Sequence, residues 1–320
     1  MCIVLISTTH PDYPLILIDN RDEFLTRPTA PASWWSPPNE HVLAGHDLLR
    51  NVHGTWLGIT KHGRIAVLTN FREEGAIVQE ARSRGSIVNA FLTQPGDSPK
   101  DTEKFVTGLV TGEGLKGVGG FSLVCGNLGQ PLAVISNRTP SIEEVTWVAK
   151  QKGETVGLSN AAYGDRSWPK VVRGEELMVS AISQSVARKD TKAELIEEMM
   201  RLLTIDTLPK YQQGEGLESY VKHLRHSIFI PAIGGENMDQ APSDAIAAAK
   251  DDRHVSSIDN EKATRPAAGI SGIYGTQKQT VVLVDHKDNV TFIERTLYDE
   301  EARPIPTEHR DRIFEFHIET

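Results

Sequence analysis

Cys2 stands directly behind the initiator methionine, so removal of Met1 would leave a thiol and a free α-amine on the same residue. An α-amine titrates at about 7.7–8.0, against roughly 10.4 for a lysine, so near neutral pH a useful fraction is uncharged and can take the thiol proton, directly or through a water. Nucleophile and general base then share one amino acid, and the chemistry on offer is attack on an amide or related carbonyl. The alternative is structural. Cys2-Ile3-Val4-Leu5-Ile6 also reads as a buried strand in which the thiol packs as a small hydrophobe. Position alone leaves both readings open, and the choice depends on partners elsewhere in the chain.

The first candidate partners are in Asp19-Asn20-Arg21-Asp22-Glu23, expected at the end of a second strand. Acids crowded around an arginine are costly to bury unless paired, so the run is either a solvated turn or a functional ion-pair cluster. A hairpin from Cys2 through Pro14 would bring the chain back to its own start and set Arg21 and Asp22 beside Cys2. There an arginine would lower the thiol pKa and an aspartate would hold the α-amine. Asn70 and Asn160 each close a strand-like run, Ala66-Val67-Leu68-Thr69-Asn70 and Val156-Gly157-Leu158-Ser159-Asn160. Such asparagines commonly serve as caps or turn formers. Their amide N–H groups are also the donors an acyl-transfer oxyanion needs.

The elements that must position these residues are short apolar strands early and late, with helices between. Residues 2–7, 14–19, 55–60 and 64–70 are β-rich and separated by turn chemistry such as His62-Gly63, which predicts an antiparallel meander. Ser98-Pro99-Lys100-Asp101 opens one helix, and Thr191-Lys192-Ala193-Glu194 is a capping box opening another, with Leu195, Met199 and Leu202 as its apolar stripe. Strands return at 121–126, 131–137, 155–160, 280–286 and 290–295; Thr280-Val281-Val282-Leu283-Val284 suits a sheet covered on both faces. Residues 233–268, rich in Gly, Asp, Ala and Ser with a weak helical signal at 244–250, read as a flexible insertion in an otherwise single domain over 1–320. Sheets flanked by helices imply an α+β sandwich.

Composition narrows the function. The 320 residues carry 34 Lys and Arg against 43 Asp and Glu, a net charge of −9, with no basic block or aromatic-interleaved basic stripe, so neither nucleic acid nor an anionic membrane is an expected partner. Two cysteines, Cys2 and Cys125, exclude a disulfide scaffold and a cysteine-rich zinc site. No transmembrane span or secretory signal is expected, and the location expected is the cytoplasm. Two further motifs are set aside. Gly112 to Gly117 satisfies GxGxxG, but in the reverse of the strand–turn–helix order that binds pyrophosphate, and His223-Leu224-Arg225-His226 reads as a solvated helix face. Cys125, in the apolar run Phe121-Ser122-Leu123-Val124, is expected to be inert.

The motifs taken together resemble the NRDE family: Met1-Cys2-Ile3, Asn20-Arg21-Asp22-Glu23-Phe24 with Arg27-Pro28, Gly54-Thr55-Trp56-Leu57-Gly58, Leu68-Thr69-Asn70, Gly157-Leu158-Ser159-Asn160, Tyr274-Gly275-Thr276 and Phe292-Ile293-Glu294-Arg295. Gln277-Lys278 falls where members of that family tend to carry an arginine. The resemblance implies an N-terminal nucleophile hydrolase fold of four αββα layers, distantly similar to choloylglycine hydrolases and penicillin V acylases. It implies Cys2 as nucleophile, Arg21 and Asp22 as its ionic partners, and Asn70 and Asn160 as oxyanion or substrate contacts, with no cofactor required for hydrolysis. It also implies a competing role: binding of haem, or of a lipid or acyl-CoA, in intracellular trafficking associated with the Golgi or mitochondria. Trp34, Trp35, Trp56 and Phe71 would supply apolar surface for such a ligand, and His10, His41, His46, His53 and His62 are candidate haem ligands.

Overall fold

The computed structural model describes residues 2–70, 83–95, 99–112, 118–210, 220–234 and 272–319. The opening hairpin is β1 (Ile3–Ser7) and β2 (Leu15–Phe24), followed by β3 (Thr29–Trp34), β4 (Val42–Asp47), β5 (Leu57–Thr60) and β6 (Arg64–Asn70). Helices α1 (Gly85–Leu92) and α2 (Pro99–Thr111) lead to β7 (Phe121–Asn127), β8 (Leu132–Ser136), β9 (Thr146–Val148) and β10 (Thr155–Leu158). Helices α3 (Pro169–Arg188) and α4 (Lys192–Leu203) then precede β11 (Tyr274–Val284), β12 (Asn289–Thr296) and β13 (Asp311–His317).

Among the described residues the strands form two antiparallel sheets. One runs β10-β1-β2-β11-β12-β13 and the other β3-β4-β5-β6-β7-β8-β9. Three apolar layers show how they stack. Val4, Ile6, Leu15 and Leu17 of the first sheet pack on Leu57, Ile59, Ile65 and Val67 of the second. On its other face the first sheet packs Ile3, Leu5, Ile16 and Ile18 against Met178 and Ile182 of α3 and Met199 and Leu203 of α4. The second sheet packs Ala66, Leu123 and Cys125 against Val88 and Phe91 of α1 and Val106 of α2. The order is helix, sheet, sheet, helix, the αββα sandwich the NRDE resemblance implies. A strand covered on both faces needs apolar side chains at every position, which is why Ile3-Val4-Leu5-Ile6 and Val281-Val282-Leu283-Val284 show no alternation.

Several expectations change. The four early β-rich runs are not one meander: the chain leaves the first sheet after Phe24, adds β3 and β4, and reaches β5 and β6 in the second sheet. The second strand does not stop at Asp19 but continues through Phe24, because its polar side chains find partners inside the sandwich. Residues 222–226, with His223 and His226, form a turn rather than a helix face. The Thr191 and Glu194 capping box is present as expected. Of 233–268 only Ile233 and Gly234 fall among the described residues, and Phe71 and 113–117 lie outside them. Among the described residues no helix is long and apolar enough to cross a membrane.

Candidate functional site

Antiparallel pairing of β1 with β2 aligns Ile3 with Asn20, and β2 with β11 aligns Asp22 with Thr276, so three strand ends converge at Cys2. Cys2 is buried, with Sγ 4.0 Å from the carbonyl oxygen of Asp22. From β10 outward, Ser159 Oγ donates to the Cys2 carbonyl at 2.6 Å and fixes the start of β1. Cys2 lines a narrow cleft open to solvent, together with Arg21, Asp22, Trp56, Leu68 and Asn70. Gly54 and Gly85 form part of the wall, where a Cβ on Gly85 would lie 2.9 Å from both Gly54 Cα and Thr55 N, so only glycine permits this approach.

Alternation along β2 sends its polar side chains to opposite faces. On the helix side, Asn20 donates to the carbonyls of Leu203 at 2.9 Å and Ile228 at 2.8 Å, satisfying the C-terminal end of α4. On the same side Asp22 Oδ1 accepts from Thr276 Oγ1 at 2.7 Å, and Oδ2 lies 3.7 Å from Lys170 Nζ of α3. Both members of that ion pair have fully buried side chains. On the inter-sheet side, the Arg21 guanidinium lies 4.6 Å from the Trp56 ring centre, bonds the side-chain oxygen of Gln277, and reaches Asp47 at 3.5 Å. Arg27 completes this group at 2.6 Å from Asp47.

Gln277 is available to Arg21 because the register of β2 and β11 slips between Thr276 and Lys278, a bulge that gives Gln277 an orientation of its own. Its amide nitrogen ties down the loop after β2 by donating to the carbonyls of Leu25 and Arg27, both at 3.1 Å. Lys278, beyond the bulge, pairs with Glu294 at 3.1 Å, and Glu294 accepts the Ala32 N–H of the facing sheet at 2.8 Å.

The electrostatics follow from burial. The Cys2 thiol is pushed above its ordinary value, chiefly by loss of water; the positive amino terminus pulls it back, while Asp22 and Asp19 push it further up. Burial therefore gives a net rise where a lowering by Arg21 was expected, and the Arg21 guanidinium is directed at Gln277 and Asp47. Burial also raises Asp22, against the pull of the amino terminus and Lys170, and lowers Lys170, against the attraction of Asp22 and Cys2. Cys125 is enclosed in β7 and raised by burial alone.

Of the expected site residues, the structure brings Cys2, Arg21, Asp22 and Asn70 to one cleft. Asn160 is absent from the described lining; its amide donates to the Asn70 carbonyl at 2.7 Å and so braces Asn70 from behind. Trp56 lines the cleft, while Trp34 packs on Phe316 and Trp35 stacks on His46. None of His10, His41, His46, His53 and His62 is in the described lining. Sequence reasoning noted Thr276 and Gln277 without giving them a site role, and it missed Lys170 and the whole of α3. The signal for α3 was available: Pro169 in the first turn, then Lys170, Gly174, Met178, Ala181 and Ser185 on one buried stripe.

The sequence model described as Transport and Golgi organisation 2 matches residues 1–299. The chain belongs to that family. The human Transport and Golgi organization protein 2 homolog is 30% identical over 316 residues, covering 96% of this chain and 94% of the human one. The protein of that name from Drosophila melanogaster is 30% identical over 321 residues, covering 93% and 92%. The family read from the NRDE motifs is therefore the family found. Among solved structures, an N-acylethanolamine-hydrolyzing acid amidase ortholog from Caenorhabditis elegans is similar with a TM-score of 0.44 at 11% identity, covering 66% of this chain and 88% of that one.

Proposed function

We propose that this member of the Transport and Golgi organisation 2 family is an N-terminal-cysteine hydrolase acting on an amide or acyl-thioester carbonyl. The observation that carries the reading is the convergence at the mouth of β1: Cys2 lines an open cleft, and Asp22, fixed by Thr276 and Lys170, stands behind it. In the proposed reaction, loss of Met1 frees the α-amine, which takes the Cys2 thiol proton. Sγ then bonds to the carbonyl carbon, and the amine proton passes to the leaving nitrogen or sulfur as that bond breaks. Water adds to the resulting Cys2 thioester, the α-amine takes its proton, and Sγ departs and is reprotonated as the carboxylic acid is released. Asp22 holds the α-ammonium, Asn70 contributes an amide donor to the oxyanion, and Asn160 keeps Asn70 in place.

A second reading is supported by the upward shift of the Cys2 thiol, since a protonated thiol is a poor nucleophile. In it the cleft carries a lipid acyl ligand or haem without turnover, in trafficking at the Golgi or mitochondria. A comparison of wild type with Cys2→Ala on acyl-amide and acyl-thioester substrates separates the two. The hydrolase reading requires turnover that the variant abolishes while its thermal unfolding is unchanged. Turnover equal in both proteins ends that reading; saturable binding in both, without turnover, establishes the carrier.

A further inference from the structure

We propose that Lys170 is a positioning residue of the Cys2 site, whose ammonium against Asp22 sets the local charge balance and so decides how readily Cys2 gives up its proton. The inference rests on the reading of Cys2 as a nucleophile and extends it to a residue on α3 that no strand motif contains.

The argument begins with cost. A lysine side chain with no exposed surface is rare unless paired, and Lys170 is held 3.7 Å from an equally buried Asp22. Its place is fixed from three directions. Its backbone N–H donates to the Arg225 carbonyl at 3.2 Å, its ammonium lies 6.0 Å from the Trp168 ring centre, and α3 approaches β1 and β10 closely. Gly174 of α3 and Gly157 of β10 both leave room for the Leu5 side chain of β1, whose carbons a Cβ would meet at 3.0 and 2.9 Å.

The other charged side chains near Cys2 include Arg50 and Arg84, which line the cleft, Arg84 donating to the Gly120 carbonyl at 3.3 Å, and several on the strands. Arg21, on β2, is directed to Asp47 of β4 and Gln277 of β11; Arg27 pairs with Asp47 and Glu23; Lys278 of β11 pairs with Glu294 of β12. The charges of Asp22 and Asp19 on β2 push the thiol up, and that of the amino terminus pulls it down. Among the described residues Lys170 is a side-chain cation held directly against Asp22, and its ammonium also feels the charge of Cys2. With Lys170 present, Asp22 can hold the α-ammonium without its full charge opposing a thiolate next to it. Without Lys170, the same carboxylate repels the thiolate.

The test is the pH midpoint of Cys2 alkylation by iodoacetamide, followed by peptide mass spectrometry with Cys125 as internal reference, in wild type, Lys170→Met, Asp22→Asn and the double variant. The expected shifts have opposite signs: up by about one pH unit in Lys170→Met, down in Asp22→Asn, and back near wild type in the double variant. Lys170→Arg should keep the wild-type midpoint. A merely structural lysine would lower stability in Lys170→Met without this sign pattern. Should Lys170→Met not fold, the charge-free pair still decides, because Asp22→Asn must titrate below the double variant. Equal midpoints, or shifts of one sign, would overturn the proposal. The readout needs no substrate: opposed shifts in a protein without turnover would keep Lys170 and end the hydrolase reading, whereas unmoved midpoints with intact turnover would do the reverse.

Discussion

Removing the Lys278 ammonium should destabilise the protein far more than removing it together with the charge of Glu294. Lys278 Nζ lies 3.1 Å from Glu294 Oε1 and 2.9 Å from Thr296 Oγ1, and the paired side chains are each 2% exposed. Glu294 Oε1 also takes the Ala32 N–H across the sandwich at 2.8 Å. Lys278→Met keeps most of the volume but leaves a buried carboxylate without its cation, a loss of about 3–5 kcal/mol. Glu294→Gln retains an oxygen for Ala32, so Lys278→Met with Glu294→Gln removes both charges and preserves the bond between sheets. That pair should fall within about 1.5 kcal/mol of wild type, giving a coupling of at least about 2 kcal/mol. Equilibrium urea unfolding followed by tryptophan fluorescence measures all four proteins; Trp56, 5.9 Å from the Lys278 ammonium, reports on the region directly. A cost below about 1 kcal/mol for Lys278→Met, or a double variant whose cost equals the sum of the singles, would refute the reasoning.

Two further outcomes test the frame of the cleft. Gly85→Ala should cost about 1–3 kcal/mol, because its Cβ meets backbone of Gly54 and Thr55 rather than yielding side chains; thermal unfolding should show a loss that Gly108→Ala, with nothing within 4 Å, does not share. Asp19, raised well above its ordinary 3.8 by burial and then by the Asp22 charge, contributes stability that is complete below that ordinary value and lost as pH rises through the folded one. Asp19→Asn should therefore gain on wild type as pH rises above about 4, by up to about 1.4 kcal/mol per pH unit, and parallel urea-midpoint profiles would contradict this.

The legible parts of the sequence were those in which local chemistry and tertiary packing agree. Thr191 and Glu194 cap α4 with each other's backbone, so their spacing carries the whole signal. Ile3 to Ile6 and Val281 to Val284 are apolar without alternation because both faces of their sheet are covered. The closeness of Cys2 to Asp22 followed from hairpin geometry alone. Illegible parts depended on partners distant in the chain. Asp19 to Glu23 read as a strand end because charges resist burial, and only Leu203, Ile228, Thr276 and Gln277 make the strand continue. Lys170 drew no reading at all, since nothing beside it in the sequence announces Asp22 in the space it enters. Asn160 lies just past β10, and its bond to the Asn70 carbonyl joins residues 90 positions apart that no local pattern links.

The central claim is that Cys2 attacks a carbonyl as the first residue of the processed chain. It is tested most directly by mixing the protein with an acyl thioester, quenching in acid within the first turnover, and reading the amino-terminal peptide by mass spectrometry. The account predicts a peptide that begins at Cys2 and carries the acyl mass on that residue, with Cys125 unmodified. A peptide that retains Met1, or an unmodified Cys2 while product accumulates, would contradict it.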